Sequence, residues 1–281
     1  FKVVWALVLA VFFMLRHRPE LLFSKGGYVS VPPVVAAGLC RVPVITHESD
    51  IDPGLATRIN ARFASRICVS YEKTRDYFPP SLRRKVVVTG NPIRREVRAG
   101  SEERGRRLFG LDAARPLILI IGGSLGAVQI NEMTAAILPD LLTAAQVVHQ
   151  TGGGNQASVA AEGYVPKEYI KSEMADLLAA ADLVVSRAGA GTLWECASLG
   201  KAMILIPLDA GSSRGDQLRN AAFFREAGAA EVLEGDAVEA GRLKELIQSL
   251  LSDPEKRKLL GESARGIASM DGAREAAAVV D

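Results

Sequence analysis

The sequence has few cysteine, histidine and aromatic residues. Among 281 residues there are three cysteines and three histidines, and aromatic residues make up 6%. Cys40, Cys68 and Cys196 are isolated and form no Cys-x-x-Cys pair, which favours three reduced thiols in a cytosolic protein over a disulfide framework. The histidines lie far apart, and none stands at a metal-ligand spacing from a second ligand. We therefore expect neither a disulfide nor a metal site.

No charge of one sign dominates the chain. Lys and Arg total 34 against 32 Asp and Glu, a net charge of +2. This balance does not indicate a nucleic-acid partner. A hydrophobic content of 48% with 23% charged residues is ample for packed cores and typical of a soluble protein. The length predicts one large domain or two of ordinary size.

The chain has no apolar run long enough to cross a bilayer. Residues 3–15 are almost wholly apolar, but a span needs about 20 such residues. The basic residues 16–18 follow this run, whereas a signal peptide carries them before it. We predict a helix buried against a sheet; the alternative is a helix whose apolar face meets a membrane surface. The chain begins within what resembles an α/β unit, so we expect an upstream part of the first domain to be missing.

Short apolar runs alternate with helical segments along the chain. The predicted strands are residues 21–24, 42–46, 67–70, 86–89, 117–121, 147–148, 183–185 and 203–206. The predicted helices are residues 34–39, 55–63, 127–142, 172–180, 216–227, 238–251 and 254 onward. Strands that alternate with helices indicate an α/β protein with doubly wound parallel sheets.

A charged segment divides the chain into two such units. Residues 94–107 hold only scattered apolar side chains, which predicts a linker and a solvated helix. We place a first domain at 1–93, a linker at 94–115 and a second domain at 116–262, and expect the helix 263–281 to pack back toward the first. Two such domains would place a ligand cleft between the carboxyl ends of their sheets.

The segment 181–207 is predicted to be a strand, a glycine loop, a helix and a strand. Thr192 is predicted to begin the helix, with Glu195 completing a Thr-x-x-Glu capping box, and Gly200 to end it. A helix start behind a glycine turn exposes N–H groups that favour an anionic ligand. An ordinary connection, in which Glu195 only caps its own helix, fits the pattern equally well.

A second glycine loop follows the predicted strand 117–121. It reads Gly-Gly-Ser-Leu-Gly over residues 122–126, where glycines allow close approach of a phosphate and Ser124 adds a hydroxyl donor. It is neither G-x-G-x-x-G nor a Walker A motif. Its letters also fit the nucleophile elbow of hydrolases, but no acid stands correctly between Ser124 and His149 for that order of residues.

Several motifs occur together in one order. They are Gly26-Gly27-Tyr28-Val29-Ser30, His47-Glu48, Gly90-Asn91-Pro92-Ile93-Arg94, the glycine loop at 122–127, Ser186-Arg187-Ala188-Gly189-Ala190, and Asp216-Gln217 ahead of Asn220-Ala221. As a series they resemble the MurG family of bacterial glycosyltransferases, which belong to glycosyltransferase family 28. The resemblance covers about residues 21–230. Each motif alone is unspecific, whereas the series is highly specific.

The resemblance implies a GT-B fold, with two Rossmann-like domains of which the first is incomplete here. It implies an inverting, metal-independent transfer of GlcNAc from UDP-GlcNAc to the C4 hydroxyl of a lipid-linked muramyl-pentapeptide, lipid I to lipid II. This reaction belongs to peptidoglycan synthesis and so to cell shape and division. The implied location is the cytoplasmic face of the plasma membrane, as a peripheral protein, with other cell-wall synthesis proteins as further partners.

The resemblance also implies roles for individual residues. Ser124 and Arg94 would meet the diphosphate, Ile170 the uracil and Gln217 the sugar. The nucleotide would be lined by Ala190, Gly191, Thr192, Leu193, Trp194 and Glu195, with Glu195 on the ribose hydroxyls. The acceptor's pyrophosphate would face the loop of Gly26, Gly27, Tyr28 and Ser30.

Two departures from the family pattern matter. The family's first glycine loop, Gly-Gly-Thr-x-Gly-His, would lie upstream of Phe1, so its histidine, the favoured general base, has no counterpart and the catalytic residue is unassigned. Asp50 stands where the family usually has an asparagine that contacts the donor sugar. Aspartate keeps the acceptor oxygen and loses the amide donor, which affects donor choice.

Two other functions remain open from the sequence. One is a UDP-sugar-binding module without catalysis. The other is a UDP-GlcNAc 2-epimerase, which shares the fold class and would convert the donor with no acceptor present.

Overall fold

The computed structural model describes residues 2–123, 127–154, 161–209, 211 and 214–280. The chain divides into two compact units. The first comprises Phe1–Pro92 and Met270–Asp281, and the second comprises Ile93–Ser269. Each unit contains a parallel sheet with helices. The predicted α/β class with two parallel sheets is confirmed.

The first unit is built on a four-stranded parallel sheet in the order β1-β2-β3-β4. Its strands are β1 (Leu22–Ser24), β2 (Val44–Glu48), β3 (Arg66–Val69) and β4 (Val86–Val88). Its helices are α1 (Lys2–His17), α2 (Val31–Leu39), α3 (Leu55–Phe63), α4 (Pro80–Arg83) and, at the end of the chain, α13 (Gly272–Ala278), with 3₁₀ turns at Tyr28–Ser30 and Glu72–Tyr77.

Helix α1 is not the buried helix that its composition predicts. Leu7, Ala10, Val11 and Met14, spaced i, i+3, i+4, i+7, pack against the core of the first unit. Most of the other apolar side chains of α1 are exposed, including Trp5 at 64% and Phe12 at 68%. An apolar residue on every face of a helix cannot be buried by one layer of neighbours, so one stripe packs and the rest faces outward.

The second unit contains a six-stranded parallel sheet in the order β7-β6-β5-β8-β9-β10. The strands are β5 (Leu117–Ile121), β6 (Gln146–Gln150), β7 (Tyr164–Lys167), β8 (Leu183–Ser186), β9 (Met203–Leu205) and β10 (Glu231–Val232). Counted within the unit this is the 3-2-1-4-5-6 order of Rossmann folds, whose ligand crevice opens where the order reverses, here between β5 and β8.

Helices flank this sheet. They are α5 (Arg95–Arg98), α6 (Glu102–Leu108), α7 (Val128–Leu142), α8 (Met174–Ala180), α9 (Ala190–Ser198), α10 (Asp216–Glu226), α11 (Ala240–Ser252) and α12 (Pro254–Ile267), with a 3₁₀ turn at Gly235–Ala237. The segment from Pro254 to the end is therefore not one helix, as predicted, because α12 ends at Ile267 and α13 begins at Gly272.

The charged segment predicted to be a solvated linker is packed against α8. Val97 is fully buried, and Arg106 is 8% exposed. A Cβ at Gly105 would overlap the Asp176 carbonyl, so glycine lets α6 approach the α8 backbone closely. Asp176 accepts hydrogen bonds from the Ser101 amide (2.8 Å) and from Arg104 Nε (2.6 Å). Arg104 therefore pairs with α8 and Arg106 is buried, so the segment is not solvated throughout.

Helix α9 begins earlier than its capping box predicts. Its N-cap is Gly189, and its first residue is Ala190. No side-chain cap hydrogen bond is present at this end within the described part of the chain. Thr192 therefore lies inside the first turn, and the prediction that Glu195 closes a capping box is wrong. The predicted stop is confirmed, since Gly200 follows the helix with φ +65°.

Candidate functional site

The second unit holds a cavity of about 670 Å³ at the carboxyl ends of its central strands. Its walls come from the ends of β5 and β6, the segment after β7, and helices α5, α8 and α9. The described lining residues are Arg94, Glu96, Val97, Ile121, Gly123, Gln150, Tyr169, Ile170, Lys171, Ser172, Met174, Ala175, Leu178, Thr192 and Glu195. Four of the predicted site residues are thus together, namely Arg94, Ile170, Thr192 and Glu195.

Arg94 and Glu195 form a bidentate ion pair in this cavity. Arg94 Nε donates to Glu195 Oε1 at 2.8 Å, and a terminal Arg94 nitrogen donates to Oε2 at 3.0 Å. The hydrogen bond to Glu195 raises the pKa of Arg94 above its ordinary value. The side chain of Glu195 is 17% exposed and that of Arg94 57%. Glu195 therefore faces the cavity wall that carries Arg94, instead of turning back to its own helix start.

The remaining predicted residues of α9 divide between the surface and the core. Leu193 is fully buried and Trp194 is 2% exposed, so their side chains belong to the core. Gly191 is exposed and Ala190 is 8% exposed in the first turn. Ser124, the hydroxyl donor predicted in the other glycine loop, lies outside the described residues.

Gln150 joins two parts of the cavity and was missed by the sequence analysis. Its Nε2 donates to the Gly123 carbonyl at 3.0 Å, and the Ile170 amide donates to its Oε1 at 3.0 Å. The signal that would have identified Gln150 is its position, because it is a polar residue at the end of a buried strand and lies opposite a glycine loop. Ile170 itself is 5% exposed.

Gln217 lies at the start of α10. Its Oε1 accepts a hydrogen bond from the Leu208 amide at 3.1 Å, which ties the helix to the segment after β9. It is half-buried and is not among the described residues that line the cavity.

The predicted acceptor loop lies in the first unit, between β1 and α2. Gly26 and Gly27 have φ of 81° and 79°, in the left-handed region that favours glycine. Tyr28 is 85% exposed. The Ser30 hydroxyl donates to the Gly27 carbonyl at 2.7 Å and accepts from Asn60 Nδ2 at 2.8 Å. The two glycines thus form a fixed turn with an exposed aromatic residue beside it.

Lys25 precedes this loop and contacts three side chains from two other segments of the first unit. Its Nζ lies 3.2 Å from His47 Nδ1, and it donates to Ser49 Oγ at 3.0 Å and to Asn91 Oδ1 at 3.1 Å. His47 Nε2 lies 3.0 Å from the Gly90 carbonyl, which can only accept, so Nε2 carries the proton and Nδ1 accepts from Lys25. No motif of the sequence analysis included Lys25.

Burial controls the titration of both groups. It lowers the pKa of His47 to about 4, and the neighbouring Lys25 cation lowers it in the same direction. Burial also lowers the pKa of Lys25, more than the carboxylates of Glu48 and Asp50 raise it. His47 is therefore neutral at pH 7 and acts as a fixed hydrogen-bonding group.

Asp50 follows β2 in the first unit and is half-buried. Its amide donates to Glu48 Oε1 at 3.1 Å, and the Gly54 amide donates to Glu48 Oε2 at 3.1 Å. Glu48 thus shapes the loop that carries Asp50. Asp50 belongs to a different unit from the cavity described above.

The geometry also bears on a hydrolase site and on a metal site. His149 has Tyr164 Oη 3.0 Å from Nδ1 and Asn131 Oδ1 3.0 Å from Nε2, and burial lowers its pKa to about 4. Both ring nitrogens are therefore engaged in structure, which argues against a hydrolase that uses His149 as base. Among the described residues no group of three or more His, Cys, Asp and Glu side chains could hold a metal ion.

Comparison with protein families matches two models. Residues 117–275 match the glycosyltransferase family 28 C-terminal domain, and residues 1–69 match the glycosyltransferase family 28 N-terminal domain.

Curated relatives match nearly the whole chain. A Treponema denticola protein is 43% identical over 95% of this chain and 73% of its own length. A Legionella pneumophila (strain Paris) protein is 40% identical over 89% of this chain and 69% of its own length. Both relatives are named UDP-N-acetylglucosamine–N-acetylmuramyl-(pentapeptide) pyrophosphoryl-undecaprenol N-acetylglucosamine transferase.

Solved structures match the same fold. The Acinetobacter baumannii MurG crystal structure aligns with a TM-score of 0.73 and 28% identity over 94% of this chain and 74% of that one. The UDP-GlcNAc 2-epimerase of Neisseria meningitidis aligns with a TM-score of 0.71 over 99% of this chain and 80% of that one, at 14% identity. The second likeness is one of fold alone.

Proposed function

The chain belongs to glycosyltransferase family 28, and we propose that it transfers N-acetylglucosamine from UDP-N-acetylglucosamine to N-acetylmuramyl-(pentapeptide) pyrophosphoryl-undecaprenol. This is the step from lipid I to lipid II in peptidoglycan synthesis, on which cell shape and division depend. The observation that carries the proposal is 43% identity to a transferase of that name over 95% of the chain. The epimerase alternative is not favoured, because its likeness is limited to the fold.

The cavity of the second unit is the proposed donor site. Its position at the strand-order reversal suits a nucleotide, and the first turn of α9 offers backbone N–H groups to an anion. We assign the uracil to Ile170 and the ribose hydroxyls to Glu195, whose carboxylate can accept from two neighbouring hydroxyls. The diphosphate is assigned to the glycine loop with Ser124 and to the start of α9 at Ala190, Gly191 and Thr192. The buried Leu193 and Trp194 support that helix from the core side.

Arg94 is proposed to act on both Glu195 and the diphosphate. A guanidinium has five N–H donors, and the pair with Glu195 uses two of them. The hydrogen bond to Glu195 raises the pKa of Arg94, so the guanidinium stays charged at all working pH values. The same side chain can therefore orient the ribose-binding carboxylate and stabilise negative charge on the leaving UDP.

The sugar and the acceptor are assigned to other residues. The side-chain oxygen of Gln217 accepts a hydrogen bond from the Leu208 amide. The side-chain nitrogen of Gln217 can therefore donate to the sugar. Asp50, in the first unit, can offer acceptor oxygens to a sugar hydroxyl. The acceptor pyrophosphate is assigned to Gly26, Gly27, Tyr28 and Ser30, in the loop that Lys25 precedes.

The chemistry is an inverting substitution. The acceptor C4 oxygen forms a bond to C1 of N-acetylglucosamine as the bond from C1 to the UDP oxygen breaks, and the hydroxyl proton passes to a general base that we do not assign. Backbone N–H groups and Arg94 stabilise the charge that develops on UDP. We therefore expect the donor half of the reaction to proceed without a metal.

Helix α1 is proposed to meet the cytoplasmic surface of the membrane, where the lipid-linked acceptor lies. Its exposed apolar residues include Trp5, Phe12 and Leu15, and Arg16 and His17 occupy its last turn. An apolar face with basic residues beside it binds an interface rich in anionic lipid. In the described part of the chain, no helix has the length and apolarity needed to traverse a bilayer.

The transferase proposal is tested by incubating the chain with UDP-[¹⁴C]GlcNAc and a lipid I analogue in the presence of EDTA. The expected product is radiolabelled lipid II that depends on the acceptor. Binding of UDP-GlcNAc without product would indicate a binding module instead. Conversion of the donor in the absence of acceptor would indicate an epimerase.

The membrane proposal is tested by sedimentation with vesicles that contain phosphatidylglycerol. The double variant Trp5→Ser/Phe12→Ser should lose most of its binding. The matched control is Leu108→Ser/Leu259→Ser, which removes two apolar side chains exposed to 56% and 62% outside α1. Equal sedimentation of the two double variants would remove α1 from the proposal.

A further inference from the structure

Two hydrogen bonds make Gln150 a bridge within the nucleotide cavity. Gln150 is the last residue of β6 and is 3% exposed. Its Nε2 donates to the Gly123 carbonyl and its Oε1 accepts from the Ile170 amide, each at 3.0 Å. A carbonyl can only accept and an amide N–H can only donate, so the two partners leave one orientation for the Gln150 amide.

The first partner is a peptide group that could otherwise turn. Gly123 has φ +87°, and no described heavy atom lies within 4 Å of where its Cβ would stand. Glycine in such a conformation allows neighbouring peptide groups to reorient at little cost. A carbonyl oxygen turned into the cavity would direct partial negative charge at a diphosphate. The hydrogen bond from Gln150 holds this oxygen on the side of β6.

The second partner is the backbone of the residue assigned to uracil. Ile170 follows β7 and is 5% exposed, and it lines the same cavity as Gly123. Its N–H is held by Gln150, which fixes the backbone on which the base would rest. The buried side chain of Gln150 therefore forms hydrogen bonds both to the loop assigned to the diphosphate and to the segment assigned to the base.

We infer that Gln150 is a positioning residue for the donor nucleotide, which keeps the Gly123 carbonyl away from the diphosphate and fixes the Ile170 backbone beside the base. The inference rests on the proposed UDP-GlcNAc donor site and adds a residue to which no role has been assigned. Gln150 acts through its two backbone partners.

The same strand provides a matched control. Gln146, at the other end of β6, is 4% exposed. Its Oε1 accepts from the Asp112 amide at 2.8 Å, and its Nε2 donates to the Asp112 carbonyl at 2.9 Å. Residues four apart on a strand share a face. Gln146→Met therefore removes a similar buried amide bridge and leaves the described lining of the cavity untouched.

The test is calorimetric titration of UDP and of uridine into the full chain, with melting temperatures measured in parallel. Gln150→Met should weaken UDP binding about tenfold, since two hydrogen bonds that organise the site are lost. Gln146→Met should lower the melting temperature comparably and change UDP affinity by less than about twofold. A purely structural role for Gln150 would make the two variants alike in both measurements.

A second variant separates the two partners of Gln150. In Gln150→Glu the carboxylate can still accept from the Ile170 amide but, when ionised, cannot donate to the Gly123 carbonyl. Uridine affinity should stay within about threefold of the wild type, while UDP affinity should fall at least about tenfold.

The outcomes are distinguishable. Failure of the wild type to bind UDP would overturn the donor-site proposal itself. Wild-type UDP binding, with Gln150→Met binding as tightly as Gln146→Met, would overturn the inference alone. If Gln150→Met does not fold, Gln150→Glu decides at a pH at which its carboxyl group is ionised, because UDP affinity equal to that of the wild type would then contradict the role.

Discussion

At the scale of single residues, the donor site depends on an ion pair between distant parts of the chain. Arg94 and Glu195 are 101 residues apart, and their side chains meet in one cavity. The family resemblance identified both residues. It could not predict that they bind each other, because a capping box explained Glu195 locally and a linker charge explained Arg94.

Glu195→Ala should weaken UDP binding about 10- to 100-fold, because hydrogen bonds from ribose hydroxyls to a charged acceptor are lost. The loss also leaves Arg94 without the carboxylate that orients it. Calorimetry on the variant measures the effect, and circular dichroism checks the fold.

The control for this variant is Glu96→Ala, which removes a carboxylate from the wall of the same cavity. We expect it to change UDP affinity by less than about threefold. If Glu195→Ala bound UDP like Glu96→Ala, the assignment of the ribose to Glu195 would be wrong.

Gln150 and Lys25 mark the limit of sequence reasoning at this scale. Each is a single polar residue without a motif, and its role is defined by main-chain groups or side chains from other segments. Local pattern cannot predict such partners, because they depend on which strand ends are neighbours in the sheet.

At the scale of secondary-structure elements, regular periodicity was the reliable signal. The strand at residues 117–121 and the helix at 55–63 were predicted to the residue. Prediction was wrong where tertiary contacts override local pattern. The α5–α6 segment is highly charged, yet Asp176 and close glycine contacts pack it on α8. The short strand β7 was not predicted, because its Pro166 and Lys167 interrupt the apolar run.

Two glycines of α12 should respond oppositely to alanine. A Cβ at Gly261 would overlap the Gly200 carbonyl, which follows α9, whereas no described heavy atom lies within 4 Å of a Cβ at Gly266. Gly261→Ala should therefore lower the free energy of unfolding by about 1–3 kcal/mol through overpacking. Gly266→Ala should raise it by up to about 1 kcal/mol through helix propensity.

Urea unfolding of both variants measures this difference. The two substitutions add the same methyl group to the same helix, so each is the control for the other. Equal shifts in the same direction would mean that α12 does not approach the end of α9 as closely as described.

At the scale of the whole molecule, the α/β class with parallel sheets followed from alternating strands and helices. The exposure of most apolar residues of α1 could not be predicted, because composition alone does not show which face of a helix other elements cover. One stripe of α1 packs against the core of the first unit, and most of its other apolar residues are exposed.

The buried histidines make stability depend on pH. His149 has a folded-state pKa of about 4, whereas an unfolded histidine titrates near about 6.5. Between these values the unfolded state binds more protons, so the stability of the second unit falls as the pH is lowered. We expect His149 to account for a loss of about 2 kcal/mol between pH 7 and pH 5.

Urea titrations at pH 7 and pH 5 test this expectation against His149→Gln, which cannot titrate in this range. The variant should lose about 2 kcal/mol less than the wild type between the two pH values. The same pH dependence in both proteins would mean that His149 is not buried in its neutral form.

The most direct test of the account is a crystal structure of the chain with UDP bound. The account predicts the uracil beside Ile170, the ribose hydroxyls on the Glu195 carboxylate and the diphosphate at the start of α9. A nucleotide bound elsewhere, with the Arg94–Glu195 pair and the cavity around it empty, would contradict it.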